Sequence, residues 1–560
     1  MTPRGVRSLV SCLAGVLLLV LAIQMVPALT LKTPTFDEPA HIGAGLSYLK
    51  TGDFKLNLQH PPLLKEIAAL PLVLGGVRWP IADALWRQLG DGPNPYLQWQ
   101  VGSEVLFANG PERVMFLARL PFVAITLLLA WALFAWGRRM LGDAAALGAL
   151  LLGALDPTLV GHGPLVTTDT GCALFTLLFV WALWEYLNHR SLRRYLLCGA
   201  ALGAALASKF SAVFLLPIAF LLFLPASLWI PSAVPVRASS LIDPFASSDG
   251  GRRALWIAWA LAGMTLVAAA VVYALYFFPS NPFLYLEGLR RINADHDPSY
   301  WPYMAGVFRP RFWSYYGVAY LLKEPIPSIL LAAIGGVALF RRSNATSLDR
   351  AFLLVPPAVF LAAYTLFSHN LGFRYLIPAL PFLHLVGGAG FAALLGAGRP
   401  WGKAVALVLA VWLVAGAGGI HPDQLSYFNE AACLLDDPSR LGADGGTRCG
   451  PSWLDDSNVD WGQGLRQVKE WLRANPYPGE VYLGHFGSLE PRRFGIDAPL
   501  VTLEDLLRQP APGRYVLSAH LVARALGMLR ARHGDGPGNW LLRSRPAAVV
   551  GHAYYVHDVR

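Results

Sequence analysis

Long apolar runs recur along the chain, separated by short clusters of Arg and Lys or by longer polar stretches. A hydrocarbon core about 30 Å thick takes roughly 20 apolar residues in helical form. On that measure the runs near 8–29, 112–136, 142–157, 164–187, 193–206, 209–230, 254–278, 325–341, 351–367, 373–396 and 402–420 read as spans, about eleven in all. The runs 142–157 and 193–206 are short, and suit tilted spans or re-entrant pairs with their neighbours. The first run follows Arg4 and Arg7 as a signal peptide would. It is long, however, and no A-x-A cleavage site precedes the polar segment, so it reads as a retained span.

The polar stretches give the rest of the layout. The segments 30–111 and 279–324, the short turns near 158–169 and 368–374, and the C-terminal 421–560 all fall on one side if the spans alternate. IAALPLVLGGV (67–77) is too short to span and fits an interfacial helix. In the C-terminal segment VDWGQGLRQVKEWLRAN (459–475) has helical spacing, whereas EVYLGHFG, GRYVLSAH and AVVGHAYYVHDV have the look of strands. The expected architecture is an all-α polytopic membrane domain over 1–420, with outer interfacial helices, followed by a small α/β domain over 421–560. Within the membrane domain, 30–111 is the first outer loop and 279–324 the second. There is no internal repeat and no large low-complexity region.

Composition supports this picture. Of 560 residues 55% are hydrophobic and 14% charged, against roughly 25% charged in soluble domains. The net charge of +10 does not point to nucleic acid, because the cations are dispersed between apolar runs. With the N-terminus inside, the inner segments carry Arg4 and Arg7; Arg138 and Arg139; Arg190, Arg193 and Arg194; Arg237, Arg252 and Arg253; Arg341, Arg342 and Arg350; and Arg399 and Lys403. Every inner loop is then basic, as the positive-inside rule demands, and the C-terminal domain lies outside the cytoplasm. The sequon at Asn344 falls on the inner side and is set aside.

The outer side holds the candidate chemistry. Asp37 and Glu38 are adjacent carboxylates directly after the first span. A carboxylate near a low-dielectric boundary gains proton affinity and can act as a general base. The same pair also suits the start of a helix at Pro39, and both roles can coexist. Arg119 lies inside an apolar run and requires a partner. Lys209 and Arg374 sit at outer boundaries, where topology does not ask for cations; they suit an anionic group such as a phosphate, or snorkelling to the interface. His60, Lys65, His162, Asp169, Tyr315 and Lys323 are further substrate-binding candidates on this side, although the aromatics there also suit an interfacial belt. Asp456, Asn458, Asp460 and Trp461 suit either substrate contact or the capping of a helix near Val459. Cys433 and Cys449 fit a disulfide in an oxidising compartment, closing a loop for about 3 kcal/mol, or two separate thiols. No metal-ligand spacing, P-loop or dinucleotide fingerprint occurs, and the scattered histidines predict no zinc site. No cofactor is expected; a divalent cation beside Asp37 and Glu38 is chemically admissible but has no support in the sequence.

Five segments carry a resemblance. They are FDEPAHIGAGLSYLKTGDFKLNLQHPPLLKE (36–66), FLARLPF (116–122), HGPLVTTDTGCALF with ASKFSAVFLLP (162–217), RYLIPALPFL (374–383), and LSYFNE with DDSNVDWGQGLRQVKEWL (425–430 and 455–472). Together the chain resembles the bacterial lipid-carrier-dependent glycosyltransferases of the GT-C superfamily, relatives of protein O-mannosyltransferases and of the aminoarabinose transferases that modify lipid A. The resemblance implies a multi-pass protein of the bacterial inner membrane that transfers a hexosyl or pentosyl group from a polyprenyl-phosphate donor. The partners it implies are that donor, membrane lipids and an acceptor glycan, lipid or protein. It implies inversion, with Asp37 as base, Glu38 positioning it or touching the donor, Arg119 organising the first loop, and Lys209, Arg374 and Arg119 as the candidates for binding the donor phosphate and its carrier. For an acceptor that is itself a phosphate no base is required, and Asp37 would orient substrate. Two readings from other classes compete: a transporter or flippase of lipid-linked substrates, and a non-enzymatic scaffold. A transporter would place ionisable groups at mid-membrane, whereas here they gather at one face.

Overall fold

A computed structural model describes residues 3–82, 86, 97–229, 250–294, 299–341, 345–398, 400–534, 536 and 538–560. Arg237, Arg342, Asn344 and Arg399 lie outside these residues. All eleven apolar runs contain helix: Pro3–Thr30, Pro111–Leu141, Asp143–Ala154, Asp169–Asn188, Leu192–Ser208, Leu215–Trp229, Gly250–Leu275, Ile326–Arg341, Ser347–Phe367, Leu380–Leu395 and Pro400–Ile420. Among the described residues, seven helical segments are long and apolar enough to cross a membrane, or up to eight if the bent pair Tyr315–Lys323 and Ile326–Arg341 is one span. The chain is thus a multi-pass membrane protein.

Local sequence explains the short members. Asp143–Ala154 has 12 residues, about 18 Å at 1.5 Å per residue, and stops where Asp156 and Pro157 begin a new turn. The Asp156 carboxylate accepts hydrogen bonds from the backbone N–H groups of Thr158 and Leu159, capping the helix Pro157–His162. The run expected from residue 164 becomes helical only at Asp169, because the residues after His162 form turns. At the bent pair, Pro325 and Pro327 follow Glu324, and the axis turns by 112°.

Small residues let the helices meet backbone to backbone, as in membrane bundles generally. A Cβ added at Gly388 would lie 2.2 Å from the Ala145 carbonyl, and one at Gly335 would lie 1.8 Å from that of Val386. These contacts press Leu380–Leu395 between Asp143–Ala154 and Ile326–Arg341. The helices have chemically distinct ends. Arg119 stands near the start of Pro111–Leu141 and Arg138 and Arg139 near its finish; Asp169 opens the next long helix, whose other end holds Glu185 in ion pairs with Arg139 and Arg194.

The first polar segment folds onto the Arg119 end as helices Glu38–Thr51 and Leu63–Leu74. The second buries Leu64, Ala68 and Leu72 and exposes Leu70 and Leu74, the arrangement expected of an interfacial helix. Beyond residue 420, β3 (Val481–Gly484), β4 (Gly513–Ser518), β5 (Ala548–Val550) and β6 (Tyr554–Val559) form a sheet in the order β3-β4-β6-β5. Only β3 and β4 pair in parallel. A hairpin of β1 (Tyr303–Met304) and β2 (Val307–Phe308) joins this region through Ala305 N–H, which donates to the Trp453 carbonyl at 2.9 Å. Cys433 and Cys449 are disulfide-bonded.

Candidate active site

The site begins with the segment that leaves the first span. Phe36 N–H donates to the Trp461 carbonyl at 2.8 Å, and Thr33 N–H to that of Gln463 at 3.1 Å. The two chain segments therefore lie side by side and fix the entry to the helix Glu38–Thr51. Glu38 secures this turn. Its Oε2 accepts from Thr35 N–H at 2.8 Å and Thr35 Oγ1 at 3.0 Å, and from Arg119 Nη2 at 2.6 Å. Its Oε1 accepts from Arg119 Nε at 2.8 Å and from Val166 N–H at 2.9 Å. Burial raises the proton affinity of Glu38, but the Arg119 charge and these donors more than reverse it, leaving the carboxylate below its ordinary pKa.

Both Glu38 oxygens are occupied by protein donors, and Arg119 spends its remaining N–H groups on the carbonyls of Ala28, Lys32 and Thr33. In this conformation neither residue presents a free group to substrate. Arg119 thereby ties the chain leaving the first span to Glu38 at the start of the next helix.

Asp37 is different. It stands at the helix start, yet its side chain makes no capping hydrogen bond. Its carboxylate is about a quarter exposed, and Oδ2 accepts from Arg374 Nη1 at 2.9 Å. Desolvation raises its pKa, opposed by Arg374 and reinforced by the charges of Asp456 and Asp169; the net direction is upward.

Arg374 links the groups into a cluster. It is the second residue of the 3₁₀ turn Phe373–Ala379, which follows Gly372, whose φ of 112° only glycine adopts readily. Its guanidinium lies 4.1 Å from the Trp461 ring centroid, and Nη1 is 4.0 Å from Asp169 Oδ2. Its Nε is buried with no hydrogen-bond partner. Lys209, in extended backbone at the end of Leu192–Ser208, donates Nζ to Asp169 Oδ1 and lies 4.5 Å from the Tyr375 ring centroid. Two cations and two carboxylates, from four well-separated stretches of sequence, thus meet at one end of the bundle.

Around this centre stand His41, His60 and His162, each with a buried Nδ1 lacking a hydrogen-bond partner. The His41 and His60 rings are 5.0 Å apart. Burial and then the Lys65 charge push His41 down to about 3, and burial lowers His60 well below its usual value, so both are neutral at pH 7. Asp456 has a left-handed φ of 56°, uncommon for a residue with a side chain. It is held there by its N–H donating to His520 Nδ1 at 2.9 Å and by Tyr300 Oη donating to its Oδ2 at 3.1 Å.

The other candidates are framework in this conformation. Lys65 Nζ donates to Tyr48 Oη, Asn57 Oδ1 and the carbonyls of Asn57 and His60. Lys323 Nζ donates to the carbonyls of Leu425 and Asn458. Asn458 accepts from Phe373 N–H and donates to Tyr315 Oη, so this trio braces the residue before Arg374. Asp460 accepts from Ser518 Oγ and Gly462 N–H. Sequence reasoning missed His41 and Tyr375. Both had an available signal, one lying a helical turn after Asp37 and the other adjoining Arg374.

Residues 106–242 match the family model described as dolichyl-phosphate-mannose-protein mannosyltransferase. Among solved structures, the chain is similar to the apo form of ArnT from Cupriavidus metallidurans, with 13% identity, coverage of 99% of this chain and 98% of that one, and a TM-score of 0.49. The same protein bound to undecaprenyl phosphate gives 14% identity, 98% coverage of both chains and a TM-score of 0.48. The archaeal oligosaccharyltransferase AglB from Archaeoglobus fulgidus, in complex with an inhibitory peptide and a dolichol-phosphate, gives 11%, with 84% of this chain and 62% of that one covered and a TM-score of 0.45. No curated protein matches the chain.

Proposed function

We propose that the protein is a membrane glycosyltransferase that moves a sugar from a polyprenyl-phosphate donor to an acceptor hydroxyl. The observation that carries this reading is the Asp37 carboxylate. It is free of capping, partly open, raised in proton affinity and paired with Arg374, which shares Asp169 with Lys209, so that two cations that suit a phosphate leaving group belong to the same cluster. The family-model match over 106–242 supports the same donor class.

In the proposed reaction Asp37 takes the proton of the acceptor hydroxyl as its oxygen attacks the anomeric carbon. The bond from that carbon to the phosphate oxygen breaks, its electron pair leaves with the polyprenyl phosphate, and the anomeric configuration inverts. Negative charge gathers on the phosphate, where Arg374 and Lys209 stabilise it by exchanging their carboxylate partners for the new anion. Trp461 and Tyr375 keep the two cations oriented during the exchange.

The proposed setting is the bacterial inner membrane, with the N-terminus cytoplasmic and residues 421–560 forming an extracytoplasmic domain that completes the site. Asp37→Asn tests the base. Transfer from a radiolabelled polyprenyl-phosphate sugar should fall by at least about 100-fold at unchanged expression. Transfer at the wild-type rate would remove Asp37 from the reaction. Movement of the labelled lipid across vesicles with no transfer at all would identify a transporter instead.

A further inference from the structure

A second polar cluster lies apart from the residues assigned to transfer. Asp156, Glu324 and His384 each offer one ligand atom, and these three atoms all lie within 4.8 Å of one another. The residues are between 0% and 2% exposed. They come from three different places: the cap between Asp143–Ala154 and Pro157–His162, the bend after Tyr315–Lys323, and the helix Leu380–Leu395.

Their hydrogen bonding is incomplete. Asp156 uses Oδ1 to cap Thr158 and Leu159, but its Oδ2 has no hydrogen-bond partner. Glu324 Oε1 and both imidazole nitrogens of His384 are likewise buried without one. Leaving several buried polar atoms unsatisfied is costly, so this set is under pressure to bind something.

We propose that these three side chains hold a divalent transition-metal ion. His384 Nε2 and Asp156 Oδ2 are 3.2 Å apart without hydrogen-bond geometry. Two ligands bonded at about 2.0–2.2 Å to one tetrahedral or octahedral ion stand roughly 3 Å apart. The third oxygen, from Glu324, lies within 4.8 Å of both. One imidazole with two carboxylates suits Zn²⁺ or Mn²⁺ better than Mg²⁺ or Ca²⁺, which favour all-oxygen sets.

The ion would tie the 112° bend to two helices of the bundle. Glu324 follows Lys323, whose ammonium holds the Asn458 carbonyl at 2.6 Å, and Asn458 in turn holds Phe373 N–H at 2.9 Å, next to Arg374. The metal would therefore stiffen the support behind the Arg374 turn without touching the reacting groups.

The full-length protein in detergent, stripped by a chelator and dialysed against Zn²⁺, should retain about one ion per chain by elemental mass spectrometry. His384→Gln combined with Glu324→Gln should lower retention at least about tenfold. Co²⁺ in the same site should give visible d–d absorption that the double variant lacks, and Zn²⁺ should raise the unfolding temperature of the wild type only. Circular dichroism establishes that the variant is folded. Should it not fold, Asp156→Asn, which keeps the capping oxygen, takes its place. Equal ion retention by wild type and variant, or no retention by wild-type protein, would overturn the proposal.

Discussion

Asp37 and Glu38 are neighbours in sequence but opposites in environment. Glu38 has five donors on two oxygens, while Asp37 has one charged partner and access to solvent. Their substitutions should therefore fail in different ways. Glu38→Gln leaves the buried Arg119 charge uncompensated and should cost about 3–5 kcal/mol, seen as a lower unfolding temperature in detergent. Asp37→Asn should leave that temperature nearly unchanged while stopping transfer. The raised pKa of Asp37 sets the pH response. The base form is present above that pKa, so the rate should fall as pH drops, beginning above the usual range for an aspartate. A pH–rate profile with its acid limb at the ordinary aspartate value would contradict this. The sequence displayed the carboxylate pair but could not divide the labour between them. The deciding partners, Arg119 and Val166, are 81 and 128 residues from Glu38.

At the level of elements, the strand-like stretches in the C-terminal region were legible, because alternating apolar residues bounded by turn residues survive in β3, β4 and β6. The helix Ala519–His533 was not, since it follows β4 without a break and its start is hidden in GRYVLSAH. The helix expected over 459–475 shrinks to Leu465–Ala474, because residues 461–463 give their carbonyls to Phe36 and Thr33. The same region is fastened to the bundle by a charge relay. Lys32 pairs with Asp423, and His552 bridges Asp423 at 2.7 Å and Asp444 at 3.2 Å. Burial lowers the His552 pKa, but the two carboxylates outweigh it and lift it to about 9. A group raised from 6.5 to about 9 contributes stability that is complete below pH 6.5 and lost as pH climbs through 9. Thermal stability should decline over that interval, and His552→Gln should remove that part of the decline.

Across the whole molecule, each of the eleven apolar runs holds helix, but run length does not say how many cross a bilayer unaided. Glycine contacts such as Gly388 against Ala145 permit short helices to be buried among longer ones, and run length carries no trace of such packing. The site was visible as single outlying residues, Lys209 and Arg374, whose convergence depends on four distant segments. Trp461 is the least expected member, since it arrives from beyond the last span. Trp461→Ala should slow transfer about tenfold, the equivalent of 1–2 kcal/mol of cation–π contact, with initial rates against donor concentration as the readout. No change would detach Trp461 from the orientation of Arg374.

The hydrogen bond from Phe36 to the Trp461 carbonyl also has a meaning in time. At about 5–20 residues per second, a ribosome that has made Asp37 needs roughly 20–80 s more to reach Trp461. Throughout that interval the nascent chain can be threaded into the bilayer with its first loop still unclamped. The clamp on the first loop therefore closes late, so a product truncated before Trp461 would enter the bilayer with the segment before Asp37 unclamped.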